Sequence, residues 1–181
     1  MTSRNKTPSW IDIKAKLADF DRSGLIDLVQ DLYAANQDNQ AFLHTRFEVG
    51  DDFLKPYKAA IKRWLWPDGF KNQDTSVARA KKAIADYKKA AGRHDVLAEL
   101  MVFYCEQAAG FSNAVALQDE GYLDALVRMF SQTLKTIALL PDTEQSVFLG
   151  RLVAVRDMSR NFGYGIVYDM DELLSEHKIE D

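Results

Sequence analysis

The chain has 181 residues, of which 47% are apolar and 28% are charged, a balance typical of a folded globular protein and unlike that of a disordered one. It has one cysteine, Cys105, which excludes an internal disulfide and a cysteine-based metal cage. The first eight residues are polar and lack the apolar segment of a signal peptide, which predicts a cytoplasmic protein. The longest apolar run, Val96 to Cys105, is short and interrupted by Glu99, so it predicts a buried helix and no membrane-spanning segment.

Apolar residues recur at helical spacing along the whole chain, and no run alternates as a strand would. The predicted helices cover residues 10–20, 23–35, 38–47, 53–66, 76–92, 95–109, 122–140, 142–158 and 169–176. The pattern predicts an all-α fold, with a single compact multi-helix domain over residues 9–176. This domain would contain about eight or nine helices in antiparallel hairpins, arranged as a bundle or a short solenoid-like array. Residues 1–8 and 177–181 are predicted to be flexible tails.

Residue types at the helix ends support these assignments. Ser9 followed by Asp12 is a capping-box pattern, and Asp38 and Asp142 are predicted to cap the helices that begin near them. Gly92 suits the position just after a helix. The segment 95–109 is apolar nearly all round, which predicts that it is the central core helix.

Positive charge is concentrated in residues 55–93, where eleven lysines and arginines face three aspartates, a net charge of +8 in a chain of net charge −4. The predicted basic face consists of Lys62, Arg63, Arg79, Lys82, Lys89 and Arg93. With the aromatic residues Trp64, Trp66 and Phe70 beside it, such a face suits nucleic-acid binding, because cations neutralise phosphates and aromatics stack on bases. The alternative is a solvated helix face that pairs with acidic residues elsewhere in the chain, among residues 95–144, with Trp64 and Phe70 in the core.

Glu106 directly follows the apolar run, so its side chain is expected to be drawn inward. A buried carboxylate needs a partner, and Arg156 and Arg160 are the candidates. A polar pocket for an enzyme or a small-ligand binder is predicted from five residues: Glu106, Asn113, Tyr122, Arg156 and Tyr164. The alternatives are a partly exposed glutamate, or an ion pair that locks two helices together.

Signature motifs of common enzyme classes are absent: there is no glycine-rich nucleotide loop, no Walker-type lysine loop and no pair of histidines at zinc spacing. Cys105 lies in the apolar segment, where a thiol behaves as a small hydrophobe. No catalytic, cofactor-binding or metal-binding residue is therefore predicted. The leading hypothesis is a non-enzymatic scaffold that binds another protein or a second copy of itself.

Several segments are similar to an uncharacterised bacterial helical family, catalogued as domain of unknown function 6155. The likeness is carried by residues 25–33, 42–43, 46–47, 78–89, 97–101 with Tyr104 and Glu106, 111–113, 129–130, and Gly163-Tyr164-Gly165 with Asp169. The loop after Phe111 departs from the family, in which it is more acidic and richer in glycine. Because the family has no assigned activity, the resemblance implies a helical, bacterial, cytoplasmic protein, and it provides no catalytic residues.

Overall fold

The computed structural model describes residues 7–50, 52–71 and 73–177, with the side chain of Phe70 outside the description. Within these residues all regular elements are helical and no strand occurs, which confirms the predicted all-α fold. The described residues contain nine α-helices: α1 (Trp10–Leu17), α2 (Arg22–Ala35), α3 (Gln37–Arg46), α4 (Lys55–Leu65), α5 (Val77–Ala90), α6 (His94–Val115), α7 (Glu120–Ile137), α8 (Asp142–Met158) and α9 (Ile166–Glu176). Of the two predicted flexible tails, residues 1–6 and 178–181 lie outside the described residues.

The chain divides into two units, Met1–Leu43 and His44–Asp181. The first unit contains α1, α2 and most of α3, and neither α1 nor α2 has a buried residue. The second unit contains the remaining helices and the hydrophobic core. That residues 9–176 form a single domain stays a prediction.

Helix α6 is the centre of the second unit and packs against α4, α5, α7 and α8. Its residues Leu100, Val102, Cys105 and Ala109 are completely inaccessible to solvent. The prediction that this segment is the central core helix is therefore confirmed. A helix with neighbours on most sides needs apolar residues around its whole circumference, and this explains why its sequence lacks a clear polar face.

Some of the predicted helix ends are confirmed by backbone geometry. The carboxylate of Asp12 accepts a hydrogen bond from the backbone N–H of Ser9 at 2.8 Å, as a capping box requires. Gly92 has a φ angle of +68°, the left-handed conformation that glycine adopts just after a helix.

Two predicted caps are wrong. Asp38 lies inside α3, and the helix is capped by Asn36, whose side-chain oxygen accepts a hydrogen bond from the backbone N–H of Asn39 at 2.8 Å. Asp142 is the first residue of α8, and Pro141 occupies the cap position. In both cases the aspartate lies in the first turn of its helix, where acidic residues are as common as at the cap, so the sequence pattern does not distinguish the two positions.

The stretch from Gly110 to Gly121 was predicted to be loose, but its residues 110–115 extend α6 to Val115. Gly110 suggested a break because glycine lowers helix stability. In the structure this glycine gives the indole ring of Trp66 room, since a Cβ atom at position 110 would lie 2.7 Å from the Trp66 ring. The glycine therefore serves close packing inside a continuous helix.

Candidate functional site

Four charged side chains on α4, α6 and α8 form an ionic network that consists of Lys58, Glu99, Glu106 and Arg151. The guanidinium of Arg151 donates from Nε to Oε1 of Glu106 at 2.7 Å and from Nη2 to Oε2 at 2.8 Å. Its Nη1 also donates to Glu99, whose second oxygen accepts from Nζ of Lys58 at 2.7 Å. The four side chains are between 25% and 34% exposed, so the network is only partly screened by water.

The network favours the charged forms of Glu99 and Arg151. Burial raises the pKa of Glu99, but hydrogen bonds from Arg151 and Lys58 outweigh burial, and the net pKa lies below its usual value. The hydrogen bond to Glu106 raises the pKa of Arg151 against the opposing effect of burial, with Glu99 adding to the rise. A carboxylate with a lowered pKa and two cationic partners is suited to holding helices together and is a poor general acid.

The arginine partners predicted for Glu106 are wrong, because Arg151 fills that role. Arg156 is buried and lies 3.4 Å from Asp171 and 3.6 Å from Asp157. The alternative interpretation of Glu106, an ion pair that locks two helices, describes the observed contact. The sequence offered several arginines between residues 151 and 160, and only the packing of α8 on α6 selects Arg151.

The other residues of the predicted polar pocket have separate environments. The hydroxyl of Tyr122 is buried and donates to the backbone carbonyl of Leu65 at 2.7 Å, and burial raises its pKa. Asn113 and Tyr164 are exposed, and Tyr164 has a left-handed backbone with φ of +62°. Two open grooves of the second unit, about 430 and 350 Å³ in volume, are lined by other residues. A pocket shared by the five predicted residues stays a prediction.

Half of the predicted basic face is paired with acidic groups. Lys82 and Lys89 lie 2.5 and 3.9 Å from the carboxylate of Asp86. Arg93 contacts Glu48 at 2.5 Å and Asp95 at 2.7 Å. The alternative predicted for this face, pairing with acidic residues elsewhere in the chain, therefore applies to Arg93, whereas Lys82 and Lys89 pair with Asp86 on their own helix. Lys62, Arg63 and Arg79 differ, because none of them forms an ion pair with a carboxylate among the described residues.

Arg63 and Arg79 both stack on the indole ring of Trp64. Their guanidinium carbons lie 4.3 and 4.2 Å from the ring centre. The backbone brings them together, because the N–H of Ser76 donates to the carbonyl of Trp64 at 2.8 Å and thereby fixes the start of α5 beside the end of α4. Arg79 is the third residue of α5 and lies in its first turn. Lys62 is exposed on the same turn of α4 as Arg63. We call Lys62, Arg63, Trp64 and Arg79 the arginine–tryptophan cluster.

Apolar side chains on α2 remain exposed. The helical pattern predicts one apolar face on this helix, consisting of Leu25, Leu28, Val29 and Leu32, but does not indicate what covers it. Ile26, Val29 and Leu32 are 57%, 46% and 51% exposed, respectively. We call the set Leu25, Ile26, Val29, Leu32 and Tyr33 the α2 stripe. Helix α1 also has exposed apolar residues, including Trp10 and Ile11.

Three further observations bear on chemistry. Cys105 is fully buried, and burial raises its pKa to about 12, with a partly opposing effect of its hydrogen bond with Thr133. Residues 7–50, 52–71 and 73–177 include no group of three or more histidine, cysteine, aspartate or glutamate residues placed to hold a metal ion. In the same part of the chain, no helix has both the length and the apolar character needed to cross a membrane.

No family model matches the chain, and no curated protein or solved structure matches it. The resemblance to the uncharacterised bacterial family therefore stays a prediction.

Proposed function

We propose that the chain is a non-enzymatic protein-interaction scaffold and that the α2 stripe is its docking face. The observation that supports this proposal is the exposure of every member of the stripe, from 37% for Tyr33 to 57% for Ile26. Exposed apolar residues are common singly, but a contiguous set marks an interaction surface. At about 100° per residue, the stripe occupies roughly one third of the circumference of α2.

The charges of α2 favour a second copy of the chain as the occupant. Asp27 and Asp31 lie on the side of α2 opposite to the stripe, at about 100° per residue. The stripe itself has no carboxylate, so two identical stripes can pack without like-charge repulsion. A two-fold interface requires such self-complementarity. In an antiparallel pairing, Arg22 in the first turn of α2 lies near the last turn of the other copy, where the helix dipole is negative.

Sedimentation velocity of the full chain over a range of concentrations tests the proposal. We expect a concentration-dependent rise from monomer to dimer. Val29→Glu puts a carboxylate in the middle of the stripe, and burying an unpaired charge weakens association by roughly tenfold or more. Val29 is already exposed, so the variant is expected to keep its helical circular dichroism spectrum.

The matched control is Asp31→Asn, which changes a charge on the opposite side of the same helix and should leave association unchanged. A wild-type chain that stays monomeric at every accessible concentration contradicts self-association. Equal weakening by both variants contradicts the assignment to the stripe. If Val29→Glu lowers the melting temperature by several degrees without changing the mass, the stripe is buried within one copy and the proposal fails.

A further inference from the structure

We propose that the arginine–tryptophan cluster binds the phosphates of a single-stranded nucleic acid. This inference goes beyond the proposed scaffold and concerns a different surface, at the junction of α4 and α5. The cluster holds three cations, Lys62, Arg63 and Arg79, on two consecutive helices. Among the residues that the structure describes, no carboxylate forms an ion pair with any of these three cations.

Stacking leaves the hydrogen-bond donors of both arginines available. A guanidinium contacts an aromatic ring through its flat face, whereas its five N–H donors lie in its plane. Arg63 uses one donor in a long hydrogen bond of 3.4 Å to the backbone carbonyl of Asp74. The indole ring of Trp64 therefore orients two guanidiniums without consuming the groups that bind phosphate. Pre-orientation lowers the entropic cost of binding, since the side chains are already ordered.

The electrostatics of the cluster also favour an anion. Arg63 and Arg79 both lie over one aromatic ring, so their guanidinium carbons are at most twice the 4.3 Å cation-to-centre distance apart and their charges repel. A phosphate placed near both removes this repulsion. Arg79 also lies in the first turn of α5, where the helix dipole adds partial positive charge. The paired cations Lys82 and Lys89 lie further along α5 and are already compensated by Asp86.

A single strand fits this surface better than a duplex. The cluster covers only the end of α4 and the beginning of α5, whereas duplex binders place an element in a groove or contact phosphates over a longer distance. Single strands expose bases, which stack on guanidinium planes and aromatic rings. Besides the stacked arginines, Trp66 lies two residues after Trp64 and is 39% exposed as a whole residue, while its ring packs against Gly110 on one side.

Fluorescence anisotropy with a labelled single-stranded oligonucleotide of mixed sequence tests this inference on the full chain. We expect binding at low salt that weakens as salt is raised, because phosphate contacts release counterions. The double variant Arg63→Ala/Arg79→Ala should weaken binding by roughly tenfold or more and reduce the slope of log K against log salt by about 1.4, the value for two phosphate contacts to a single strand. Arg79→Lys keeps the charge but loses the planar stack, so we expect a smaller loss.

The matched control is Arg128→Ala, which removes an exposed arginine on α7 that lies 3.8 Å from Asp124. It should bind the oligonucleotide like the wild type. Val29→Glu on the α2 stripe should also bind normally, so that failure of the scaffold proposal and failure of this one are distinguishable. Circular dichroism of each variant verifies that it is folded.

Three outcomes would overturn the inference. The first is absence of binding at low salt, where phosphate contacts are strongest. The second is an equal loss for Arg128→Ala and for the double variant, which would indicate a diffuse charge effect. The third is tighter binding of a duplex, or of a glutamate-rich peptide used as competitor, which would assign the cluster to another class of ligand.

Discussion

Arg151 on α8 binds Glu106 on α6 through two parallel hydrogen bonds of 2.7 and 2.8 Å. This bidentate geometry is the strongest form of an arginine–carboxylate contact. Because the same guanidinium also binds Glu99, removing it leaves the partly buried Glu106 without a cationic partner and Glu99 with Lys58 alone. We expect Arg151→Met to lower the free energy of unfolding by about 1–3 kcal/mol, between the values for exposed and fully buried pairs. Urea denaturation measures this.

Arg128→Met is the control for Arg151→Met. Its ion pair with Asp124 is 3.8 Å long, and the two side chains are 61% and 52% exposed. Exposed pairs contribute little, so we expect a loss below about 0.5 kcal/mol. Equal losses for the two variants would show that the ionic network adds nothing beyond an ordinary surface pair.

The stability of the fold should depend on pH through Glu99. Its folded pKa lies below the ordinary value of 4.5, so the folded state binds this proton less readily than the unfolded chain does. The contribution of Glu99 is therefore complete above about pH 4.5 and is lost as the pH falls through the lower folded pKa. We expect unfolding free energies measured in urea to fall more steeply below pH 4.5 for the wild type than for Glu99→Gln. Parallel pH profiles would contradict this assignment.

Cys105 should be unreactive while the chain is folded. Its thiol is fully buried with a pKa of about 12, so almost no thiolate forms at pH 8, and a reagent cannot reach it. We expect a chromogenic aromatic disulfide to react with Cys105 only in urea. The control is Ser146→Cys in a Cys105→Ala background, because residue 146 is exposed and its thiol should react at once. Rapid labelling of native Cys105 would contradict the buried position.

Two helical glycines should respond in opposite directions to alanine. Gly150 on α8 has open space where a Cβ would lie, so Gly150→Ala should raise the free energy of unfolding by about 0.5–1 kcal/mol through helix propensity. At Gly110 the new Cβ would lie 2.7 Å from the Trp66 ring, and displacing that ring outweighs the gain. We expect Gly110→Ala to lower the free energy by about 1 kcal/mol. Stabilisation by both variants in urea would show that the indole moves freely.

The sequence was sufficient for the all-α fold because helical periodicity and capping residues are local signals. It correctly placed α6 at the centre, since only a surrounded helix lacks a polar face. The sequence did not predict features that depend on a residue distant in the chain. Gly110 looked like a helix end, because the residue that explains a glycine inside this helix, Trp66, lies 44 residues earlier in the chain. Glu106 was paired with the wrong arginine because the choice depends on how α8 packs against α6.

The surfaces were harder to predict than the core for a related physical reason. A pattern of charges does not show which cations are already compensated. Lys82, Lys89 and Arg93 looked equivalent to Arg63 and Arg79 in sequence, yet only the latter two stack on Trp64. The apolar face of α2 was visible in the sequence, but its exposure was not, since the same pattern also belongs to helices that a neighbour covers.

Glu99 and Glu106 are seven residues apart on α6, which is two helical turns, and one guanidinium spans both. Contacts between apolar side chains tolerate a shift of one helix along another, because one leucine can take the place of another at a small cost in free energy. Hydrogen bonds are directional and do not tolerate such a shift. Moving α8 along α6 by a single turn would break all three hydrogen bonds of Arg151. We infer that the contacts of Arg151 with Glu99 and Glu106 set the alignment of α6 and α8. Replacing these three side chains by apolar residues would yield a stable protein whose side-chain packing is less uniquely ordered.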